Sequence, residues 1–397
     1  MPRFSPFAPR TTPLMEGQHW RRWAGYVTAS SYELTHDREY AAIRNAAALI
    51  DVTPLYKYMV EGRDAARLLD RIVTRDVAKC KLGQVMYTPW CDADGKIIDD
   101  GTIARLGEQR FRMTSADPGL RWLDMNAYGM DVRISEVSES TAALSLQGPT
   151  SRAILQKVAD GDVAALGYFK ITDAKIRDVP ITISRTGYTG DLGFELWIPV
   201  EGALQVWDAL IEVGSDYGIA PCGIWAMDIA RIEAGLLMAE VDYVSARHAL
   251  IEGQKSTPFE LGLGWAVALG GGPFIGKAAL HAEKEAGPAW RFVGIDVDWE
   301  SLEACYREVD LPPRLPSVAW RESVPLYHES VQVGYATSGC WSPLLKKYLA
   351  LAHVEAQHGE PGTELMMEVT VEHRRKQALA RVSALPFFDP PRKKGNA

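Results

Sequence analysis

The feature that most constrains this 397-residue chain is the stretch from Gln84 to Ser115. Three strand-like runs follow one another there, Val85-Met86-Tyr87-Thr88-Pro89-Trp90, Lys96-Ile97-Ile98-Asp99-Asp100 and Arg110-Phe111-Arg112-Met113-Thr114. The first two are joined by Asp92-Ala93-Asp94-Gly95, a good turn sequence. Parallel strands need a crossover of a dozen or more residues, so connections this short predict an antiparallel meander. Short helices and strands alternate on either side without regular βαβ spacing, and the expected class is α+β.

Helical spacing is read from Leu34 to Ile50 and from Gly62 to about Val73, and again near Pro118–Tyr128, Ala203–Val213 and Gly223–Met238. Strands are expected around Val132–Ser135, Ala142–Leu146 and within Ile181–Pro199. From Arg291 to Leu385 the pattern is mostly short strands, including Phe292–Ile295, Val331–Ala336 and Leu365–Val371, which predicts a separate barrel-like domain beginning near residue 285. The Pro/Lys/Arg/Gly tail after Asp389 reads as disordered.

Lys plus Arg total 43 against 51 Asp plus Glu, a net charge of -8 that offers no general attraction to phosphate backbones or anionic lipid. Nucleic acid is therefore not the expected partner. No run approaches the ~20 apolar residues of a membrane span, and the opening Met1–Arg10 lacks a signal-peptide core. Cys80, Cys91, Cys222, Cys305 and Cys340 are scattered, which fits a reducing, cytoplasmic setting.

Few motifs carry chemistry by themselves. Gly271-Gly272-Pro273-Phe274-Ile275-Gly276-Lys277-Ala278 has the spacing of a phosphate loop, but Ala278 replaces the magnesium-binding hydroxyl and Pro273 removes a backbone donor, so a glycine-rich turn before a helix is favoured. The eight histidines include no His-x-x-x-His pair, and no catalytic metal is indicated. Asp99 and Asp100 are adjacent on one predicted strand, where alternation sends one side chain to each face. Spacing alone favours an exposed or structurally satisfied Asp100. The Arg185–Leu196 segment reads as a hairpin whose glycines permit positive φ, with Tyr188 and Glu195 at its mouth. Asp228 and Arg231, three apart on a helix, read as a structural pair.

Taken together and in this order, five blocks resemble the glycine-cleavage T-protein (aminomethyltransferase) family and its tetrahydrofolate-dependent demethylase relatives. They are Gln147-Gly148-Pro149, Ser184–Gly190 with Gly193-Phe194-Glu195-Leu196, Arg231-Ile232-Glu233-Ala234-Gly235-Leu236, Pro258–Trp265, and Ser338-Gly339 with Ser342-Pro343. The resemblance covers nearly the whole chain. It implies a three-domain, cloverleaf-like ring with tetrahydrofolate in a central hole: a folate-binding catalytic region of two interleaved α+β domains over 1–284, a C-terminal β-barrel over 285–390 and a tail over 391–397. Asp100 then matches the catalytic aspartate beside the reactive folate nitrogen, Glu195 the acid that grips the pterin, and Tyr87 and Tyr188 the aromatics lining the folate site.

The chain departs from the T-protein pattern where Met227 precedes Asp228 in place of an arginine, at Thr53-Pro54-Leu55-Tyr56-Lys57, and in a longer connection between Glu240 and Pro258. These changes direct the expected activity toward moving a methyl or aminomethyl group from a small methylated substrate to tetrahydrofolate, with Tyr56 and Trp225 as substrate-wall candidates. The alternatives are a glycine-cleavage T-protein acting on a lipoyl carrier protein and, in another class, a non-catalytic folate-binding protein.

Overall fold

The structure, a computed structural model, describes residues 3–395; the expectations for Met1 and Pro2, and for the last two residues of the tail, lie outside the described residues. The meander forms as expected. Gln84–Cys91, Ile97–Gly107, Arg110–Ser115, Tyr56–Glu61 and Arg133–Glu136 lie side by side in that order, all antiparallel. The turn Asp92–Gly95 closes with Gly95 at φ +76°, a backbone conformation that glycine adopts without strain. Helix Ala65–Ile72 buries Leu68, Leu69 and Ile72 in the core beneath this sheet.

A second sheet holds six strands in the order Ile171–Ile176, Val179–Ser184, Gly193–Pro199, Thr141–Gln147, Ala47–Asp51 and Ile219–Pro221, antiparallel except for the last pair. Gln147 explains two of the motif glycines. Its buried amide donates to Ser145 Oγ at 2.9 Å and to the Thr186 carbonyl at 3.2 Å, and accepts from Thr189 Oγ1 at 2.9 Å. A Cβ on Gly187 or Gly193 would lie 2.1 or 2.2 Å from its Oε1, so both positions exclude a side chain.

The last third is a closed antiparallel barrel of six strands, Trp290–Val297, Lys347–Glu355, Val331–Ser342, Val324–His328, Glu364–Val371 and Arg374–Ser383. Ile295, Leu326, Ala350, Val354, Leu365 and Met367 fill it. Closure leaves no exposed strand edge.

Three expectations are corrected. The helix expected over Leu34–Ile50 is confined to Asp37–Asn45, because Ala46 breaks it at φ -141°, ψ -117° and Ala47–Asp51 becomes a sheet strand. An apolar run buried on all sides has no periodicity to separate the two states. The helix expected to reach Met238 ends at Glu233, and Gly235 turns the chain at φ +63°. The tail is not loose as far as residue 395: Pro391–Lys393 forms a 3-10 turn, and Arg392 grips the buried Asp191 at 2.6 and 2.8 Å. Among the described residues no helix is long and apolar enough to cross a membrane, and the five cysteines are free and buried.

Candidate active site

Strand Ile97–Gly107 sets the centre of the site. Its alternation sends Asp99 and Asp100 to opposite faces, Asp99 buried and Asp100 part-buried. Asp99 is 3% exposed and accepts two backbone N–H groups, Asp100 at 2.8 Å and Asp117 at 3.0 Å. Asp100 instead receives the phenols of Tyr243 and Tyr87. Tyr87 sits on the neighbouring strand, and Tyr243 arrives from the long connection after Glu240.

Burial raises the Asp100 carboxyl above the usual carboxylate range, opposed by the two phenol hydrogen bonds. Asp99 is raised further, by burial and then by the charge of Asp100. Burial and the Asp100 carboxylate push the Tyr87 and Tyr243 phenols well above their usual value, so they hold their protons and donate. Tyr188 is raised by burial as well, with Asp242, Asp100 and Asp228 adding to the rise and Arg231 opposing it. Its hydroxyl donates to the Leu237 carbonyl. The result is one acid held by two phenols, with the Tyr188 phenol feeling its charge.

Behind these phenols lies a buried ion network. Asp242, fully buried, accepts from Arg231, from the Met238 N–H at 2.9 Å, from Thr337 Oγ1 at 2.6 Å and from Ser338 Oγ at 2.8 Å. Thr337 and Ser338 belong to the barrel, so the Ser338-Gly339 block anchors the barrel to this centre. His353 Nε2 lies 2.6 Å from the Asp242 carbonyl and adds a second barrel contact. Arg231 Nε donates to Asp228 at 2.9 Å, the structural pair expected from their spacing.

Glu195 stands on the central strand of the six-stranded sheet, opposite Ser145 and Ser184. Thr186 Oγ1 donates to it, and burial raises its carboxyl while Thr186 and the Arg112 charge pull it back. Tyr56 lies beside Glu136, Asp117 and Arg3, and Trp225 packs its ring on His19 at 4.7 Å and His36 at 6.1 Å. Among the described residues neither enters the hydrogen bonds of the Asp100 cluster. Tyr87 also stacks on the exposed Trp265, centroids 5.9 Å apart, extending an aromatic wall outward.

Sequence reasoning missed Tyr243 and Asp242. The signal is the longer connection itself, which turns the Tyr243 and Asp242 side chains inward. The glycine-rich segment behaves as a turn: Lys277 Nζ donates to the Gly271 and Gly272 carbonyls at 2.7 and 3.2 Å, the opposite polarity to a phosphate cradle. Asp117, Glu240 and His248 gather in one group, with His248 Nδ1 3.0 Å from Glu240 and 3.4 Å from Asp117. That contact ties the long connection to the loop that holds Asp99.

A barrel locked onto two α+β sheets around a part-buried acid held by two phenols defines a three-lobed, cloverleaf-like transferase architecture. The family model described as the GCVT N-terminal domain matches residues 11–270, and the glycine cleavage T-protein C-terminal barrel domain matches residues 308–389. An aminomethyltransferase of Halalkalibacterium halodurans is 34% identical over 379 residues, covering 94% of this chain and 93% of the relative. One from Geobacillus thermodenitrificans is 35% identical over 372 residues, 92% of each. In fold, the chain is similar to the glycine cleavage system aminomethyltransferase T from Bartonella henselae, with a TM-score of 0.83, 24% identity, and coverage of 98% of this chain and 99% of that one. The chain belongs to the glycine cleavage T-protein family. Membership makes it an enzyme of the tetrahydrofolate-dependent transferase class.

Proposed function

We propose that this enzyme moves an aminomethyl group from a lipoyl carrier protein to tetrahydrofolate, in a reducing, cytoplasmic setting. The reading rests on one observation: an acid, Asp100, held by the phenols of Tyr243 and Tyr87 lies in a chain similar to aminomethyltransferases over more than nine-tenths of its length. The side chains suit the substrate. Glu195 is a carboxylate acceptor for the N–H edge of a pterin, and Tyr87 and Tyr188 are flat walls for its ring. Asp100 lies against the folate N5 side and offsets positive charge developing on the transferred carbon or its leaving atom. Tyr87 and Tyr243 hold Asp100 in orientation. Residues 1–284 form the catalytic region in this reading, with the barrel of 285–390 as its buttress and 391–397 as the tail, docked through Arg392.

A small methylated donor is the second reading, favoured by the longer segment after Glu240, whose Tyr243 donates to Asp100. Tyr56 and Trp225 are its candidate donor walls. The deciding experiment incubates the enzyme and tetrahydrofolate with an aminomethyl-loaded lipoyl carrier or with a panel of N-, S- and O-methyl compounds. Folate-bound one-carbon product with the carrier alone supports the proposal. Product only with a methyl compound replaces it with the second reading, and folate binding without product from any donor leaves a binding protein.

A further inference from the structure

Arg112 stands on the meander strand Arg110–Ser115, and the strand register decides what it faces. Thr114 lies opposite Thr102 and Arg112 opposite Ala104, while Asp100, Thr102 and Ala104 alternate onto one face of their strand. Arg112, Thr114, Thr102 and Asp100 therefore share one face of the sheet. The other face is core, filled by Ile103, Phe111 and Met113. The Arg112 face meets the six-stranded sheet, because the guanidinium carbon lies 3.9 Å from the centroid of the Trp197 ring. Trp197 and Glu195 are two apart on Gly193–Pro199 and point the same way. Trp197 Nε1 is fixed on Ser184 Oγ at 3.1 Å, and Ser184 is the residue opposite Glu195.

Arg112 is 6% exposed, yet among the described residues no hydrogen bond or ion pair reaches its guanidinium, and its Nε is buried without a partner. Buried donors left unpaired are costly, and native proteins keep few of them. On the facing sheet the Glu195 carboxylate accepts from Thr186 Oγ1 and, among the described residues, from no other group. Burial pushes Arg112 down to about 9, with the Glu195 charge the chief opposing influence, and still the two are not joined in an ion pair. Asp173, the other acid that acts on Arg112, is engaged by Thr182 Oγ1 at 3.0 Å. Asp100, Thr102 and Glu195 are half-buried, whereas Asp99 and Ile103, which alternate the other way, are buried, so the space between the two sheets is open on this side.

We propose that Arg112 is a further binding residue of the folate site, donating its unpaired N–H groups to the ring carbonyl of the pterin whose N–H edge Glu195 accepts. The inference rests on the reading of Glu195 and Asp100 as folate-site residues. A cation and an anion held apart across one gap match a neutral ring that carries an acceptor beside its donors. A carboxylate in the same gap would be repelled by Glu195. The ring carbonyl of a pterin stands between its N–H edge and N5, so its donor belongs on the sheet face that carries both Asp100 and Arg112.

The test measures binding of tetrahydrofolate and of tetrahydroaminopterin, in which an NH2 donor replaces the ring carbonyl. Wild type is compared with Arg112→Met and Arg112→Gln, each checked for folding by circular dichroism. Arg112→Met should lower tetrahydrofolate affinity at least about tenfold and leave tetrahydroaminopterin within about twofold of wild type, because the guanidinium finds no carbonyl on that ring. Arg112→Gln, a smaller and neutral donor, is read by the same criterion and carries the test if the Met variant does not fold. Equal loss for both ligands, the result of a merely structural role, or no loss for either overturns the proposal. Failure of wild type to bind tetrahydrofolate at all would instead sink the folate-site reading beneath it.

Discussion

Asp99 and Asp100 share one strand and one pair of neighbours, and the structure separates what each should do. Replacing Asp100 with Asn removes the charge that Tyr243 and Tyr87 hold in place, and removes the like charge that helps to raise Asp99. Folding should therefore hold or improve slightly. If the carboxylate stabilises positive charge in the transition state, losing it costs about 3 to 4 kcal/mol, or roughly 100- to 1,000-fold in turnover at 1.4 kcal/mol per decade. Asp99→Asn has the opposite profile. Asp99 accepts one backbone N–H on each oxygen, and an amide NH2 facing one of those donors leaves it unsatisfied, at about 1 to 3 kcal/mol. Its rate should stay within a few-fold of wild type. Steady-state turnover with tetrahydrofolate, paired with urea unfolding of each variant, reads both quantities. Wild-type turnover in Asp100→Asn, or a larger rate loss at Asp99, would refute the assignment of the reacting acid.

Glu195→Gln should weaken tetrahydrofolate binding by at least about tenfold, because charge-assisted bonds to the pterin are worth roughly 1.5 to 3 kcal/mol each; an unchanged titration removes Glu195 from the site. Lys57, fully buried, donates to the Thr53 and Leu55 carbonyls at 2.7 and 2.8 Å, and burial lowers its pKa to about 7, opposed by Asp51. The unfolded chain then binds more protons between pH 7 and the ordinary lysine range near 10.5, so stability should rise with pH across that window relative to Lys57→Met, by on the order of 2 to 4 kcal/mol. A pH-independent difference between the two unfolding curves would contradict this. Arg392→Ala should lower stability by about 1 to 3 kcal/mol through loss of the fork on Asp191; an unchanged midpoint would return the tail to the status of a loose end.

What the sequence disclosed, it disclosed where the physics is local. The meander was legible because Asp92–Gly95 can only reverse the chain, and the barrel because its short strands repeat over some ninety residues. Asp100 was legible only through order and type of motif, since alternation puts an acid on each face without saying which face holds the site. Tyr243 lies 143 residues from Asp100, Thr337 95 from Asp242 and Arg321 93 from Asp228. No periodicity reports on such pairs, because the chain's path between lobes, not the local backbone, brings them together. The same argument accounts for Ala47–Asp51, where burial on both faces erased the pattern that separates strand from helix. It also explains the tail: Arg392 looks like a solvated cation until Asp191, 201 residues earlier, is placed beside it. A buried carboxylate needs a counter-charge wherever the chain can supply one, so an acid inside an otherwise apolar or glycine-rich stretch, such as Asp191 or Asp242, is the sequence signal to follow outward in search of its distant arginine.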